Sequence, residues 1–225
     1  MTQPGDSAGV GGPVRRRREK LAPDPAIRHQ LVAAGAELVR ENGVRGLSVA
    51  GVLERCGLGT RAFYRHFEGK DALLAAVFLD AAQAETRRLR RRMRAAPSAA
   101  DAVVAWIDGR LDLAFDATVK SDLRQLSEEA QSLMISSPAL VQEAFGEMLT
   151  PLVEQLQRGL DDGLFDGIDP ATDAQLIQGA VWACTERQWV AGDATHSDIR
   201  AAVLRSTLRG LGVAPQTIAG VLAQN

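Results

Sequence analysis

A chain of 225 residues that is 46% apolar can bury a sizeable core unaided, and a net charge of −2 excludes a uniformly basic coat for nucleic acid. Its apolar runs are cut by charged residues well short of the ~18 needed for a membrane span, and no apolar signal segment opens it. A cytoplasmic protein with no membrane partner is expected. Cys56 and Cys184 are far apart in apolar helical contexts and read as buried thiols, neither a disulfide framework nor a zinc pair. The charge is unevenly spread: residues 1–70 sum to +5 and the remainder to −7, so a polyanion would dock at the N-terminal end.

Residues 1–23 are rich in Gly, Pro and Ser and run through Arg15-Arg16-Arg17-Arg18, a composition that reads as a disordered basic tail. Beyond it apolar residues recur at helical spacing, with no period-two stretch and no repeat, so the protein is read as all-α. The first helix opens at Asp24-Pro25 and stops at Gly43, with Ile27, Leu31, Ala34 and Leu38 inward. A short second helix runs from Ser48 to Cys56-Gly57. A third begins near Gly59-Thr60, carries Phe63 and Phe67 on one face, and stops at Glu68-Gly69. A long fourth starts at Lys70 and frays through Arg87 to Arg94 before Pro97.

Ser98 and Asp101 form a capping-box pattern for a helix holding Trp106, Ile107 and Leu111. Further helices are expected at about 121–135, at 138–162 with a kink at Pro151, at 170–191, at 197–211 with Ser197 opening it, and after Pro215.

Two short helices joined by a tight glycine-containing turn, Ser48 to Phe67, have the form of a helix-turn-helix, whose second helix enters the major groove of DNA. Val49, Val52, Leu53, Leu58, Phe63 and Phe67 are the apolar set that holds the pair on its neighbours, which turns Arg61, Tyr64 and Arg65 outward. A Tyr hydroxyl suits a phosphate oxygen, and an Arg at the start of such a helix reaches base edges.

The segment from Ala26 to Val77 resembles the DNA-binding domain of the tetracycline-repressor (TetR) family. The matching residues are Ala33-Ala34, Leu38, Gly43, Leu47-Ser48-Val49, Cys56-Gly57-Leu58, Phe63-Tyr64-Arg65-His66-Phe67, Lys70 and Leu73-Leu74. The resemblance implies a three-helix DNA-binding domain over 24–70 and a helical ligand-sensing and dimerisation domain over 71–225. It implies a homodimer on a double-stranded palindromic operator, acting as a repressor released by a small apolar effector or as a ligand-responsive activator.

Its DNA-contacting positions fall on Arg45, Ser48, Gly59, Thr60, Arg61, Tyr64, Arg65, His66 and Lys70. Ser48 either caps its helix only or also presents amides to a phosphate; His66 either meets phosphate or packs between helices. Gly59 stands where Ser or Thr usually caps the recognition helix, so either Gly59 or Thr60 is the cap. The basic tail is a candidate minor-groove arm or a weak electrostatic tether.

In the C-terminal part, Trp106, Phe115, Met134, Phe145, Met148 and Trp182 are candidates for an effector pocket, with Gln178 and Glu186 as polar anchors, or else as core and surface residues. Leu176, Ile177, Ala180, Val181, Cys184, Leu204 and Leu208 are candidates for a four-helix dimer interface. His29, His66 and His196 are too scattered for a metal site, and no phosphate loop or nucleophile motif occurs, so neither an enzyme, a metal nor a cofactor is expected.

Overall fold

The computed structural model describes residues 24–115 and 138–223, and every regular element among them is a helix. They are α1 (Pro25–Gly46), α2 (Val49–Cys56), α3 (Thr60–Phe63), α4 (Lys70–Met93), α5 (Ala99–Phe115), α6 (Pro138–Asp161), α7 (Pro170–Ala191), α8 (His196–Gly210) and α9 (Pro215–Ala223). The helix expected at 121–135 lies outside the described residues. Among those described, no helix is long and apolar enough to cross a membrane.

The helix ends follow side-chain chemistry. Asp24 and Asp169 each accept a backbone N–H in the first turn of α1 and α7, and a proline follows each. Ser98 accepts the Asp101 N–H at 3.1 Å ahead of α5. The α8 cap is Thr195, not Ser197. Its hydroxyl accepts the Asp198 N–H at 3.2 Å and donates to the Asp198 carboxylate at 2.7 Å, a reciprocal pair that Ser197, already in the first turn, does not make. Cys56 and Cys184 are half-buried rather than buried.

Two main cores form, and α4 belongs to both. Leu73, Leu74, Val77 and Phe78 pack with Leu31, Leu38, Val52, Phe63 and Phe67 of the N-terminal unit. Leu89 and Met93, further along the same helix, pack with Trp106, Leu111, Leu152, Leu156, Val181, Leu204 and Leu208. The first core therefore reaches Phe78, beyond the division at residue 70. Between the two lies a small cluster of Ala82, Leu113 and Met148.

The arginine run of α4 stays helical. Like charges one turn apart would repel, but Arg90 is taken by Glu154 of α6 at 2.6 and 2.7 Å, and Arg92 by Asp112 of α5. Close crossing of α4 and α5 needs Gly109, where an added Cβ would lie 2.7 Å from Leu89.

Pro151 lies inside α6 and has no N–H for the carbonyl of Glu147, four residues back. Thr86 of α4 supplies the missing donor: its hydroxyl lies 3.0 Å from Glu147 O, and 2.9 Å from Ala82 O on its own helix. One hydroxyl proton serves both acceptors in turn. Replacing Thr86 by Val should cost about 1 kcal/mol in urea unfolding, with Thr86→Ser close to wild type. Equal stability of Thr86→Val and wild type would show that the contact contributes nothing.

Candidate nucleic-acid interface

α1 breaks at Gly43, whose φ of 68° and ψ of 176° suit glycine alone, and a last turn to Gly46 follows. Leu47, buried, then leads into Ser48, whose hydroxyl accepts the Gly51 N–H at 3.1 Å and caps α2. α2 ends at Gly57, left-handed at φ 63°, and Leu58 N–H closes back on Leu53 O at 3.1 Å. Gly59 is the N-cap of α3 and makes no side-chain cap bond, which settles the choice between it and Thr60.

The recognition helix is shorter than expected. Only Thr60–Phe63 is α-helical; Tyr64, Arg65 and His66 follow in tightened turns, with His66 N–H on Phe63 O at 2.9 Å and Phe67 N–H on the same oxygen at 3.0 Å. So short a helix has no stability of its own. Two aromatic anchors hold it: Phe63 is fully buried, Phe67 nearly so, and their centroids are 5.7 Å apart. The Arg28 guanidinium of α1 sits 5.3 Å from the Phe67 centroid, a cation–π contact that ties the segment to the first helix.

With that side fixed, Thr60, Arg61, Tyr64 and Arg65 are exposed. Tyr64 leaves 59% of its surface to solvent while its ring edge rests on Phe63 at 5.3 Å. Arg45 and Ser48 are exposed on the approach to α2, and Gly59 is exposed at the turn. His66 is half-buried, and its buried Nδ1 has no hydrogen-bond partner. Lys70, half-buried, is the first residue of α4, after a Gly69 cap that makes no side-chain bond. A cation and the free amides of that first turn thus share one end of α4.

Two contacts bracing this unit escaped sequence reasoning. Arg55 of α2 pairs with Glu41 at 2.7 Å and Glu37 at 3.4 Å on α1, and Gln30 donates to Cys56 O at 3.1 Å at the end of α2. Glu37 and Glu41, one turn apart, were the visible signal, but nothing in the sequence named their partner. The pairing commits Arg55 to α1, and it holds the Glu41 carboxyl below its usual range through the Arg55 hydrogen bond.

Residues 31–77 match the family described as "Bacterial regulatory proteins, tetR family". The N-terminal helices are thus similar to the DNA-binding domain of the TetR family. The whole TetR-like fold recurs in solved structures. RolR in complex with resorcinol has a TM-score of 0.64 at 20% identity, covering 89% of this chain and 94% of its own. FadR from Bacillus subtilis in complex with stearoyl-CoA gives 0.61 at 20%, covering 81% and 98%. SmeT, the repressor of the Stenotrophomonas maltophilia multidrug efflux pump SmeDEF, gives 0.57 at 22%, covering 81% and 88%. No curated protein matches the sequence.

Beyond the TetR domain, the expected pocket and interface residues divide. Trp106 and Met148 are buried, while Phe115, Gln178, Trp182 and Glu186 are half-buried. Phe115 stacks edge-on with His196 at 5.2 Å and Trp182 with Trp189 at 5.8 Å. Met134 lies outside the described residues, as does the Phe145 side chain. Of the expected dimer residues, Ile177, Val181, Leu204 and Leu208 fill this chain's own core and are unavailable to a partner; a wide apolar face on each helix had hidden which side turns inward. Ala180 and Cys184 are half-buried, and Leu176 is exposed.

A buried charge network was also missed. Glu85 of α4 is almost wholly enclosed and receives Arg88 at 2.8 Å through two N–H groups, with Arg110 of α5 at 3.3 Å. Arg88 also donates to Gly109 O and approaches Asp112 at 3.7 Å. Burial pushes the Glu85 carboxyl up, but the Arg88 hydrogen bond and the charges of Arg110 and Arg88 outweigh it, and the net direction is down. In Arg110 the larger influence is burial, which lowers the guanidinium against the pull of Glu85.

With Glu85 lowered in the folded state, the unfolded chain binds the extra proton first, so this contribution is complete above the ordinary carboxylate range and is lost as pH falls through the lowered value. Urea midpoints between about pH 3 and 7 should therefore fall more steeply for wild type than for Glu85→Gln. Parallel slopes would mean that Glu85 contributes no acid-side linkage.

Proposed function

We propose that this TetR-family transcriptional regulator is a homodimeric repressor that reads a palindromic operator with Arg61 and Tyr64 and leaves it when a small, largely apolar molecule binds its C-terminal helices. The supporting observation is the placement of Arg61 and a largely exposed Tyr64 on a segment pinned from behind by buried Phe63 and Phe67. An aromatic ring left in water on so firmly held a backbone is preorganised for a surface that buries it. In this reading Arg61 contacts a base edge, Tyr64, Arg65, Arg45 and Lys70 contact phosphates, and Ser48, Gly59, Thr60 and His66 set the close approach.

Selection of bound sequences from random duplex DNA should return a palindrome with wild type. An Arg61→Ala, Tyr64→Ala variant that melts like wild type should lose the enrichment, since one bidentate Arg–guanine pair is worth about 1–3 kcal/mol. Retained enrichment by the variant would remove these residues from the interface.

The dimer reading rests on α7. Leu176 leaves 66% and Val190 85% of its surface exposed, and Gly179 and Ala183 are exposed between them. With Ala180 they form an apolar, small-residue strip on the side opposite Ala174, Ile177 and Val181, and a second copy of the same helix would cover it. The TetR-like relatives favour an effector as well: RolR and FadR were solved with resorcinol and stearoyl-CoA bound, and SmeT is named a repressor. Leu176→Asp should shift sedimentation of the protein from dimer to monomer at micromolar concentration and abolish palindrome binding, because two half-sites about 34–36 Å apart need two linked recognition segments. A dimeric Leu176→Asp would place the interface elsewhere.

A further inference from the structure

Arg110 is a buried cation with more donors than its surroundings use. Its guanidinium carries five N–H donors and stays charged. Its Nη1 meets Glu85 at 3.3 Å and Met148 Sδ at 3.9 Å, a long ion pair and a weak acceptor. Its Nε–H is buried without an acceptor. Glu85 meanwhile makes its shorter bonds, both 2.8 Å, to Arg88. One helical turn away on the same face of α5, Trp106 is fully buried and its indole N–H also lacks an acceptor. Two orphan donors, neighbours on one helix and one of them cationic, are what an oxygen anion would satisfy.

The walls around Arg110 define the rest of such a ligand. Ala82 of α4, Leu113 of α5 and Met148 of α6 form the small cluster that stands between the two main cores, and Arg110 touches its Met148. Methionine is adaptable and leucine apolar, a surface that can repack around a ring. We propose that the effector is a small aromatic acid or phenol, its oxygen held by Arg110 Nε and Trp106 Nε1 and its ring against Ala82, Leu113 and Met148. This deepens the ligand-released reading given above and rests on it. An oxygen anion on Arg110 competes with Glu85, so occupancy loosens the Arg110–Glu85 contact between α5 and α4 and gives that helix a second position.

The test uses the full chain with benzoate, salicylate and phenol, and toluene as a ring without an oxygen. Thermal unfolding and calorimetric titration read binding; release from the selected operator reads regulation. At least one of the three oxygen-bearing probes should raise the melting temperature of wild type and bind it better than toluene. Trp106→Phe, which keeps the ring but loses the N–H, should weaken that binding about tenfold, and a Glu85→Gln, Arg110→Met double variant, which leaves no buried charge unpaired between the two, should abolish it. Glu85→Gln alone, by weakening the competitor, should tighten it. Binding equal in wild type, Trp106→Phe and the double variant, or preference for toluene, overturns the site. Release of operator by toluene with no effect of the oxygen-bearing probes overturns the site while the effector reading survives. Binding that obeys the variants but leaves the operator occupied supports the site and overturns the effector reading.

Discussion

A carboxylate buried as completely as Glu85 is stable only where cations reach it, and this requirement fixes how three helices meet. Arg88 comes from the same helix one turn on, but Arg110 comes from α5 and brings Met148 of α6 with it. Removing Glu85 would leave the Arg110 guanidinium without a carboxylate in a low-dielectric interior, whereas removing either arginine would leave Glu85 with the other. The position of α4 against α5 and α6 is thus set by ionic geometry as well as by the apolar packing of Leu89 and Met93. Thr86 adds a third constraint, since the carbonyl it meets is the one left free by Pro151.

The other end of α4 belongs to a different problem. The helix-turn-helix is too small to be stable alone, and its two short helices borrow order from α1 and from the first two turns of α4. Phe63 and Phe67 form the hinge between sequence and recognition. They are adjacent in sequence to Arg61, Tyr64 and Arg65, so burying the aromatics fixes the backbone that carries the exposed side chains. The ion pairs of Arg55 with Glu37 and Glu41 and the cation–π contact of Arg28 hold α1 on both short elements, each worth little singly because each is exposed.

Local chemistry was legible. Asp24-Pro25, Ser48, Gly57 and Asp169-Pro170 write helix ends in three or four residues, and the Phe63-to-Phe67 spacing states which face is buried. What was not legible depends on partners distant in the chain. Arg87 to Arg94 looked like a fraying end because what holds it lies far along the sequence: Leu89 and Met93 are buried against α5 and α6, with Glu154 and Asp112 pairing the arginines outside. The recognition helix was drawn too long for a related reason: periodicity marks Phe63 and Phe67 as one face whether the backbone between them is α-helix or tighter turns. Apolar faces on α7 and α8 announced burial without saying whether the cover is this chain or another. Leu204 and Leu208 went to the first and Leu176 to neither within one chain.

A helix shared between two cores is a lever. Fifteen residues separate Lys70 from Glu85, a rise of about 22 Å, so a tilt of about 5° pivoting near Glu85 moves Lys70 by about 2 Å. Such a tilt needs no unfolding, because cores joined by a rigid helix respond to small local shifts as repacking between discrete arrangements. The recognition segment would move with it, since Leu73, Val77 and Phe78 lock the start of α4 to Phe63 and Phe67 in a single core. In a symmetric dimer the two displacements are related by the twofold axis, so any component along the axis of the DNA enters the half-site spacing twice. A change of a few ångströms is comparable with the reach of a side-chain hydrogen bond, and both recognition segments could not then keep their contacts at once. On the proposed effector site, the control point for binding DNA would lie where α4 meets buried charge, about two helix pitches past the end of the first core at Phe78.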